Sequence, residues 1–296
     1  MNESPQTLAN FQEHRSLLFG IAYRMLGSVS EAEDLVQEAF LRWQRQPMED
    51  IKSAKAWLTT TITRMCIDHL QSARKRREEY VGVWLPEPLV NSPMEREDRT
   101  RALADSLSTA FLVLLETLSP SERAVFLLRE VFEYDYAEIG KILEKSEASC
   151  RQMVRRAREH VATRESRFEA DPAQNERLVQ QFLDACRNGD TSSLLELLSD
   201  DVVLYSDGGG KVAAAPAPVV GSGRVARFLI GVAKIGLVGR TAQFAILNSA
   251  PGVLIYRDGE LSQTTSVEIV DGRVRAIYVV RNPEKLRHLT GDVRSS

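Results

Sequence analysis

Two all-α helical units followed by an α+β domain is the fold class that this 296-residue chain predicts. Three observations carry it. Apolar residues keep helical spacing over about 11–77 and again over about 99–167. Pro86, Pro88 and Pro93 remove backbone donors and break the pattern between those two stretches. Beyond Asp171-Pro172 short helices give way to strands joined by Asp-Gly turns, the signature of antiparallel hairpins. The segments read as 1–80, a linker at 81–104, 105–168 and 170–296.

With 43% hydrophobic and 27% charged residues, the chain has the composition of a globular protein and the length for roughly two domains. The opening "MNESPQTLAN" lacks the basic start and apolar stretch of a signal peptide, and no apolar run is long enough for a bilayer. The expectation is a cytoplasmic protein with no membrane contact. Cys66, Cys150 and Cys186 are odd in number and widely spaced, which suits reduced core thiols; a redox role for Cys150 is the alternative. His14, His69, His160 and His288 never fall at the i, i+4 spacing of a helical metal site, so neither metal nor cofactor is expected. A net charge of −3 argues against a protein that coats nucleic acid by itself.

In the first unit Phe11, Leu18, Ala22, Met25 and Leu26 keep helical spacing until Gly27 stops the helix. Ser30 and Glu33 read as the capping box of a second helix, on which Leu35, Val36, Ala39, Phe40 and Trp43 turn inward. Asp34, Gln37 and Glu38 share its other side. Asp34 and Glu38 are like charges that Arg42 partly offsets, so this face is either solvated or made for a basic partner. The next helix, "SAKAWLTTTITRMCIDHLQSARKRR", buries Leu58, Ile62, Met65 or Cys66, and Leu70, while Trp57, Thr61, Arg64 and Asp68 recur on another face. Its threonines are poor helix formers that call for packing or for hydroxyl contacts to phosphate. It runs into Arg74, Lys75, Arg76 and Arg77, a block that suits a nucleic-acid backbone or complements the helix's own dipole.

The linker is unusual in carrying Val83, Trp84 and Leu85 in a row, apolar surface that should find a partner. In the second unit Ser119, Pro120 and Glu122 form a strong helix start. After it, "YDYAEIGKILEKSEASCRQMVRRAREHV" reads as a helix-turn-helix joined at Glu144 to Ser146. Cys150, Val154, Ala157 and Val161 pack its second helix inward and leave Ser149, Arg151, Gln152, Arg155 and Arg156 facing out, where they can reach base edges and phosphates.

In the third segment helices at about 173–188 and 191–198 precede the strand "DVVLY", which delivers three glycines in "LYSDGGGKVAAAPAPVV". These glycines are no phosphate cradle, because a P-loop spaces its glycines and follows its lysine with a hydroxyl, whereas Val212 follows Lys211. A tight turn explains them. Val274, Ala276, Tyr278 and Val280 alternate with Arg273, Arg275 and Arg281, so one face of that strand is expected to be buried in an antiparallel sheet around an internal pocket.

The stretches "SLLFGIAYRMLGSVSEAEDLVQEAFLRW" and "AWLTTTITRMCIDHL" resemble region 2 of bacterial extracytoplasmic-function sigma factors, and "LSPSERAVFLLREVFEYDYAEIGKIL" with "CRQMVRRARE" resembles their region 4. The remainder resembles a SnoaL-like domain of cone-shaped α+β fold. Sigma factors with this fused extension are similar to the chain at three further blocks: "WLPEP" (Trp84, Leu85, Pro86, Glu87, Pro88), "DGGGK" (Asp207, Gly208, Gly209, Gly210, Lys211) and "NPEKL" (Asn282, Pro283, Glu284, Lys285, Leu286). The resemblance implies promoter-specific transcription initiation with core RNA polymerase and promoter DNA as partners, the polymerase contacts being its β′ clamp helices and β flap. It assigns Asp34, Gln37 and Glu38 to the clamp helices, and the stretch from Gln46 to Trp57, with Thr61 and Arg64, to melted minus-ten DNA. Residues 147–160 would read the minus-thirty-five element.

On this reading the DGGGK turn and the NPEKL tail present Asp207, Lys211 and Lys285 to the linker. Trp84 and Leu85 fill an apolar cleft there, and Glu87 pairs with a lysine. The domain would then act in cis on a factor that is monomeric when free, with its pocket open to a small molecule. The chain is not expected to be an enzyme, although Tyr205, Asp207, Tyr256 and Tyr278 offer the residue types of an isomerase. Asp207 is expected to be solvated in its glycine turn. A dimeric helix-turn-helix repressor would leave the acidic face of the second helix unexplained.

Overall fold

Gly27 ends the first helix with a φ of +67°, and its amide closes on the Tyr23 carbonyl at 2.7 Å. In the computed structural model the described residues are 5–47, 51–78, 80–90, 108–162, 172–236 and 239–290. The expectations placed on Pro93, on the rest of 91–104 and on the Asp171 cap lie outside them. Contacts divide the chain into two units, Met1–Glu78 with Leu114–Glu165 and Glu79–Val113 with Ser166–Ser296. By this division the two helical segments share one unit, and the linker belongs with the C-terminal domain.

In the helical unit α1 spans Pro5–Leu26, α2 Val29–Gln44 and α3 Ala54–Glu78. The cap of α2 is Ser28 and not Ser30. Ser28 is the residue with extended backbone, and its Oγ accepts from the Glu31 amide at 3.2 Å, so Ser30 already lies in the first turn. Val36, Ala39 and Trp43 are buried against α1, and Leu35 and Phe40 are half-buried. From α3 both Met65 and Cys66 enter the core with Leu58, Ile62 and Leu70. The threonines of α3 divide by face: Thr59 and Thr63 are fully buried, and Thr59 meets the Tyr134 hydroxyl at 2.9 Å.

The short helix α4, Thr109–Leu115, leads into α5, Pro120–Glu130, α6, Tyr136–Leu143, and α7, Glu147–Ala162. The predicted start of α5 is a capping box: Ser119 Oγ accepts from the Glu122 amide, and Glu122 Oε2 accepts from the Ser119 amide at 3.1 Å and the Ser119 hydroxyl at 2.6 Å. Those bonds hold the Glu122 carboxyl below the usual carboxylate range. Asp135 and Glu138 repeat the device at α6. Glu144 takes the left-handed conformation (φ 53°, ψ 45°) that turns the chain into α7, whose Cys150, Val154, Ala157 and Val161 are buried as expected. Burial raises the Cys150 thiol, the opposite of what a redox-active thiolate needs.

In the second unit α8, Pro172–Asn188, and α9, Thr191–Leu197, lead into β1, Leu198–Asp207. Then come β2, Val219–Val220, α10, Ser222–Gly236, β3, Arg240–Leu247, β4, Ala250–Arg257, β5, Glu260–Val270, β6, Arg273–Val280, and a terminal turn of helix, α11, Pro283–Leu286. The strands form one sheet in the order β2-β1-β6-β5-β4-β3. The Asp258-Gly259 and Asp271-Gly272 turns have positive φ at both residues, the hairpin geometry that the dipeptides predict. The sheet is mixed and not purely antiparallel, because β1 pairs with β6 in parallel.

A bulge changes the predicted burial of β6. Glu268 pairs with Ala276 and Ile269 with Val274, which leaves Arg275 as an extra residue and reverses the alternation. Val274 therefore joins Ile277 and Val279 beneath α8, α9 and α10, while Ala276, Tyr278 and Val280 face the opposite side with Leu85, Leu286 and Leu289. Both faces of this strand are covered. Replacing Ser119 by Ala removes the capping acceptor of α5 and is expected to cost about 1 kcal/mol, read as a lower melting transition of the helical unit by calorimetry.

Candidate functional site

A groove of about 810 Å³ opens along α3, lined by Arg42, Arg45, Gln46, Lys52, Trp57, Thr60, Thr61 and Arg64 among others. Helical spacing of three and four residues puts Trp57, Thr61 and Arg64 on this one face. Trp57 is half-buried with its ring 5.4 Å from that of Trp43, a platform on which a base can stack. Thr60 donates to the Ala56 carbonyl at 2.7 Å, whereas no hydrogen bond of the Thr61 hydroxyl occurs among the described residues. Arg64 is turned toward α6: its Nε donates to the Ile142 carbonyl at 2.8 Å. Arg74, Lys75, Arg76 and Arg77 continue α3, and their side chains lie outside the described residues.

On α2 Asp34 and Gln37 are exposed, and Glu38 accepts from Arg42 Nε at 2.9 Å. On α7 Arg151, Gln152, Arg155 and Arg156 are exposed and Ser149 is half-buried. Two of these arginines hold carboxylates one turn away, Arg151 with Glu147 at 2.8 Å and Arg155 with Glu159 at 3.0 Å.

The linker site forms around Asp207, at the end of β1. Its carboxylate is fully buried, not solvated, because the linker crosses over it. Oδ1 accepts from the Tyr80 hydroxyl at 2.5 Å and the Gly209 amide at 3.0 Å. Oδ2 accepts from the Leu85 amide at 2.9 Å and from Lys285 Nζ at 2.7 Å. Lys285 also donates to the Leu85 carbonyl, and its ammonium lies 4.9 Å from the Tyr80 ring centroid and 4.2 Å from that of Trp84. Leu85 itself is fully buried among Tyr278, Val280, Leu286 and Leu289.

Asp207 holds Lys285, and the Glu87 carboxylate lies 3.9 Å from His288 Nδ1. His288 Nε2 also lies 2.8 Å from the Pro88 carbonyl, and both Pro86 and Pro88 are buried. Lys211 pairs with Glu284, whose carboxyl it holds below the usual range. The glycines have separate duties. A Cβ on Gly208 would lie 2.3 Å from the Val212 carbonyl oxygen, and one on Gly209, at φ +60°, would lie 2.2 Å from Asn282 Nδ2; Gly210 is exposed. Asn282 caps α11, accepting from the Glu284 amide, and donates to the Tyr80 hydroxyl at 2.9 Å, with Pro283 following as the first helical residue.

Sequence reasoning missed Tyr80, His288 and Asn248. Asn248 exchanges hydrogen bonds with Leu89 at 2.8 and 3.1 Å, fixing the described part of the linker, a strap across the sheet domain, at its far end. None of the three carries periodicity or a motif. Burial first, and then the adjacent Asp207 carboxylate, hold the Tyr80 phenol well above its ordinary range, so it stays a donor at neutral pH. Because the folded state raises this group, its stabilising contribution is complete below about pH 10 and is lost only as pH rises beyond. Burial and the nearby Glu268 carboxylate raise the Tyr278 phenol as well, so titration followed by near-ultraviolet absorbance should show both tyrosines ionising late, and Tyr80→Phe should lower the amplitude of that late step by one tyrosine.

Comparison with known proteins places these features. The Sigma-70 region 2 family model matches residues 11–76, and the Sigma-70, region 4 model matches residues 108–161. The chain is 37% identical over 293 residues to the ECF RNA polymerase sigma factor SigJ of Mycobacterium tuberculosis, covering 94% of this chain and 92% of SigJ. It is 33% identical over 297 residues to the probable ECF RNA polymerase sigma factor SigI of the same species, covering 99% of each. The crystal structure of Mycobacterium tuberculosis SigJ matches with a TM-score of 0.76 at 34% identity, over 95% of this chain and 98% of that one. No helix among the described residues is long and apolar enough to cross a membrane, and no cluster there has the makings of a metal site. With two relatives aligned over nearly their whole length and both sigma regions present in order, the chain belongs to the extracytoplasmic-function RNA polymerase sigma factors, alternative sigma factors that direct transcription initiation.

Proposed function

We propose that this factor docks Asp34, Gln37 and Glu38 on the β′ clamp helices of core RNA polymerase, with region 4 at the β flap. The groove on α3 takes melted minus-ten DNA, Trp57 stacking and Thr61 and Arg64 contacting the strand, with Arg74 to Arg77 on the backbone. The exposed side of α7 reads the minus-thirty-five element through Ser149, Arg151, Gln152, Arg155 and Arg156. The C-terminal domain acts in cis by clasping the linker, in the cytoplasm where polymerase and chromosome meet. Free, the factor is a monomer.

One observation carries the cis role: the buried Asp207 carboxylate accepts from the Tyr80 hydroxyl and the Leu85 amide of the linker while paired with Lys285 of the tail. Three separated blocks of sequence meet at one charge. Breaking a buried pair leaves an uncompensated ion, which costs about 3–5 kcal/mol. The same saturation supports a non-enzymatic domain. A carboxylate has about four acceptor positions, and all of those on Asp207 are filled, so none is left for a catalytic proton. Leu85 further covers the sheet face on which Tyr278 lies.

Asp207→Asn and Lys285→Met are each expected to raise the exchange rate of the Leu85 amide by about a hundredfold or more, the kinetic equivalent of the energy above. Both should alter run-off transcription from a randomised promoter library with core polymerase, and the double variant should do no more than either single one. Additive effects would end the clasp. Reversing Asp34 and Glu38 together to Lys should lower co-purification with core polymerase about tenfold or more without changing the melting transition.

A further inference from the structure

Regions 2 and 4 hold each other by their helix ends. Arg123 of α5 donates to the Met25 carbonyl in the last turn of α1 at 2.6 Å and to Glu116 Oε1 at 2.7 Å. In the opposite sense Arg64 of α3 reaches the last turn of α6 with all three guanidinium nitrogens. Nε donates to the Ile142 carbonyl at 2.8 Å, Nη2 to the Lys141 carbonyl at 3.3 Å, and Nη1 pairs with Glu144 at 3.0 Å. Carbonyls at a helix C-terminus lack intrahelical partners and carry partial negative charge, so a cation completes them. The two contacts differ in exposure. The Arg123 side chain is 4% exposed, whereas Arg64 is 43% and Glu144 77% exposed. Arg123 is an anchor, and Arg64 makes a contact that another anion can reach.

Arg64 also lines the groove with Trp57, Thr60, Thr61, Arg45 and Lys52. Two carbonyl oxygens and a carboxylate set around a guanidinium present the same oxygen-only, negative surroundings as a phosphodiester. Glu144 sits at φ 53°, where glycine or asparagine would make the same turn at lower cost, so its carboxylate is not there for the turn. We infer that Arg64 marks a phosphate subsite for single-stranded DNA in this groove, and that the end of α6 with Glu144 fills that subsite as an internal mimic in the free factor. The inference rests on the α3 groove being the seat of melted promoter DNA.

Distance makes the filled state a resting one. Elements named for positions about 25 nucleotides apart lie roughly 85 Å apart along a duplex. A compact unit of about 130 residues has a radius of gyration of about 14 Å. Regions 2 and 4 in mutual contact therefore cannot read both elements. The α3–α6 contact has to part, and Arg64 is released where a phosphate arrives to replace Glu144.

The test uses the full chain and a fluorescein-labelled single-stranded 20-mer of random sequence at low salt, read by anisotropy. An exposed ion pair is weak, so Glu144→Gly should tighten binding by about three- to fivefold. Glu133→Gln removes one negative charge from the exposed surface of the same helical unit without touching Arg64 or an arginine assigned to DNA, and should give less than half that gain. In an Arg64→Ala background Glu144→Gly should give no gain beyond that charge control. A gain equal to the control, or one that survives Arg64→Ala, overturns the mimic. Hydrogen exchange at residues 142–146 reports the contact without DNA. Faster exchange in Arg64→Ala with unchanged DNA affinity would keep the α3–α6 contact and refute both the phosphate subsite and the groove as DNA seat; unchanged exchange would refute the contact alone.

Discussion

A single buried charge organises the C-terminal half of this sigma factor. Asp207 is placed by β1, yet what satisfies it comes from elsewhere: a phenol and an amide from the linker, an ammonium from the tail and an amide from its own turn. An ionised carboxylate without such partners could not stay buried, because its desolvation far exceeds the worth of any one hydrogen bond. Turn, tail and strap are thus obligatory neighbours. A buried pair of this kind adds little net stability compared with apolar packing, but it accepts only one arrangement of its donors, which is what a strap of fixed path requires.

The helical unit is joined by a different chemistry. Its regions meet through guanidinium groups set on helix-terminal carbonyls, Arg123 on α1 and Arg64 on α6, and through the Thr59–Tyr134 hydroxyl pair. Backbone carbonyls are acceptors whatever the residue, so such contacts fix geometry with few demands on the partner's sequence. One is sealed and the other open to solvent, an asymmetry suited to an interface that has to part on one side.

Three of the cations proposed to face DNA, and one more that lines the groove, share a property. Arg42, Arg64, Arg151 and Arg155 each hold a carboxylate, on Glu38, Glu144, Glu147 and Glu159. Each exposed pair is worth about 0–1 kcal/mol, little enough for a phosphate to displace it. Until then these pairs lower the local positive potential and with it the attraction for non-specific DNA.

The sequence by itself determined what is local. Helix ends at Gly27 and Ser119, hairpins at the two Asp-Gly turns and the inward face of α7 follow from backbone sterics and period, and each depends on residues within a few positions. The blocks around Trp84, Asp207 and Lys285 were legible as a resemblance, and so was the fact that they belong together. Tertiary structure alone decided the pairing among them. Lys285 goes to Asp207, Lys211 goes to Glu284, and Tyr80 enters from outside any motif. It also decided the extra residue at Arg275 that exchanges the faces of β6. The physical reason is the same in each case: the partner of a buried charge, or of a strand, is set by which distant segments fill the space around it, and spacing along the chain carries no record of that.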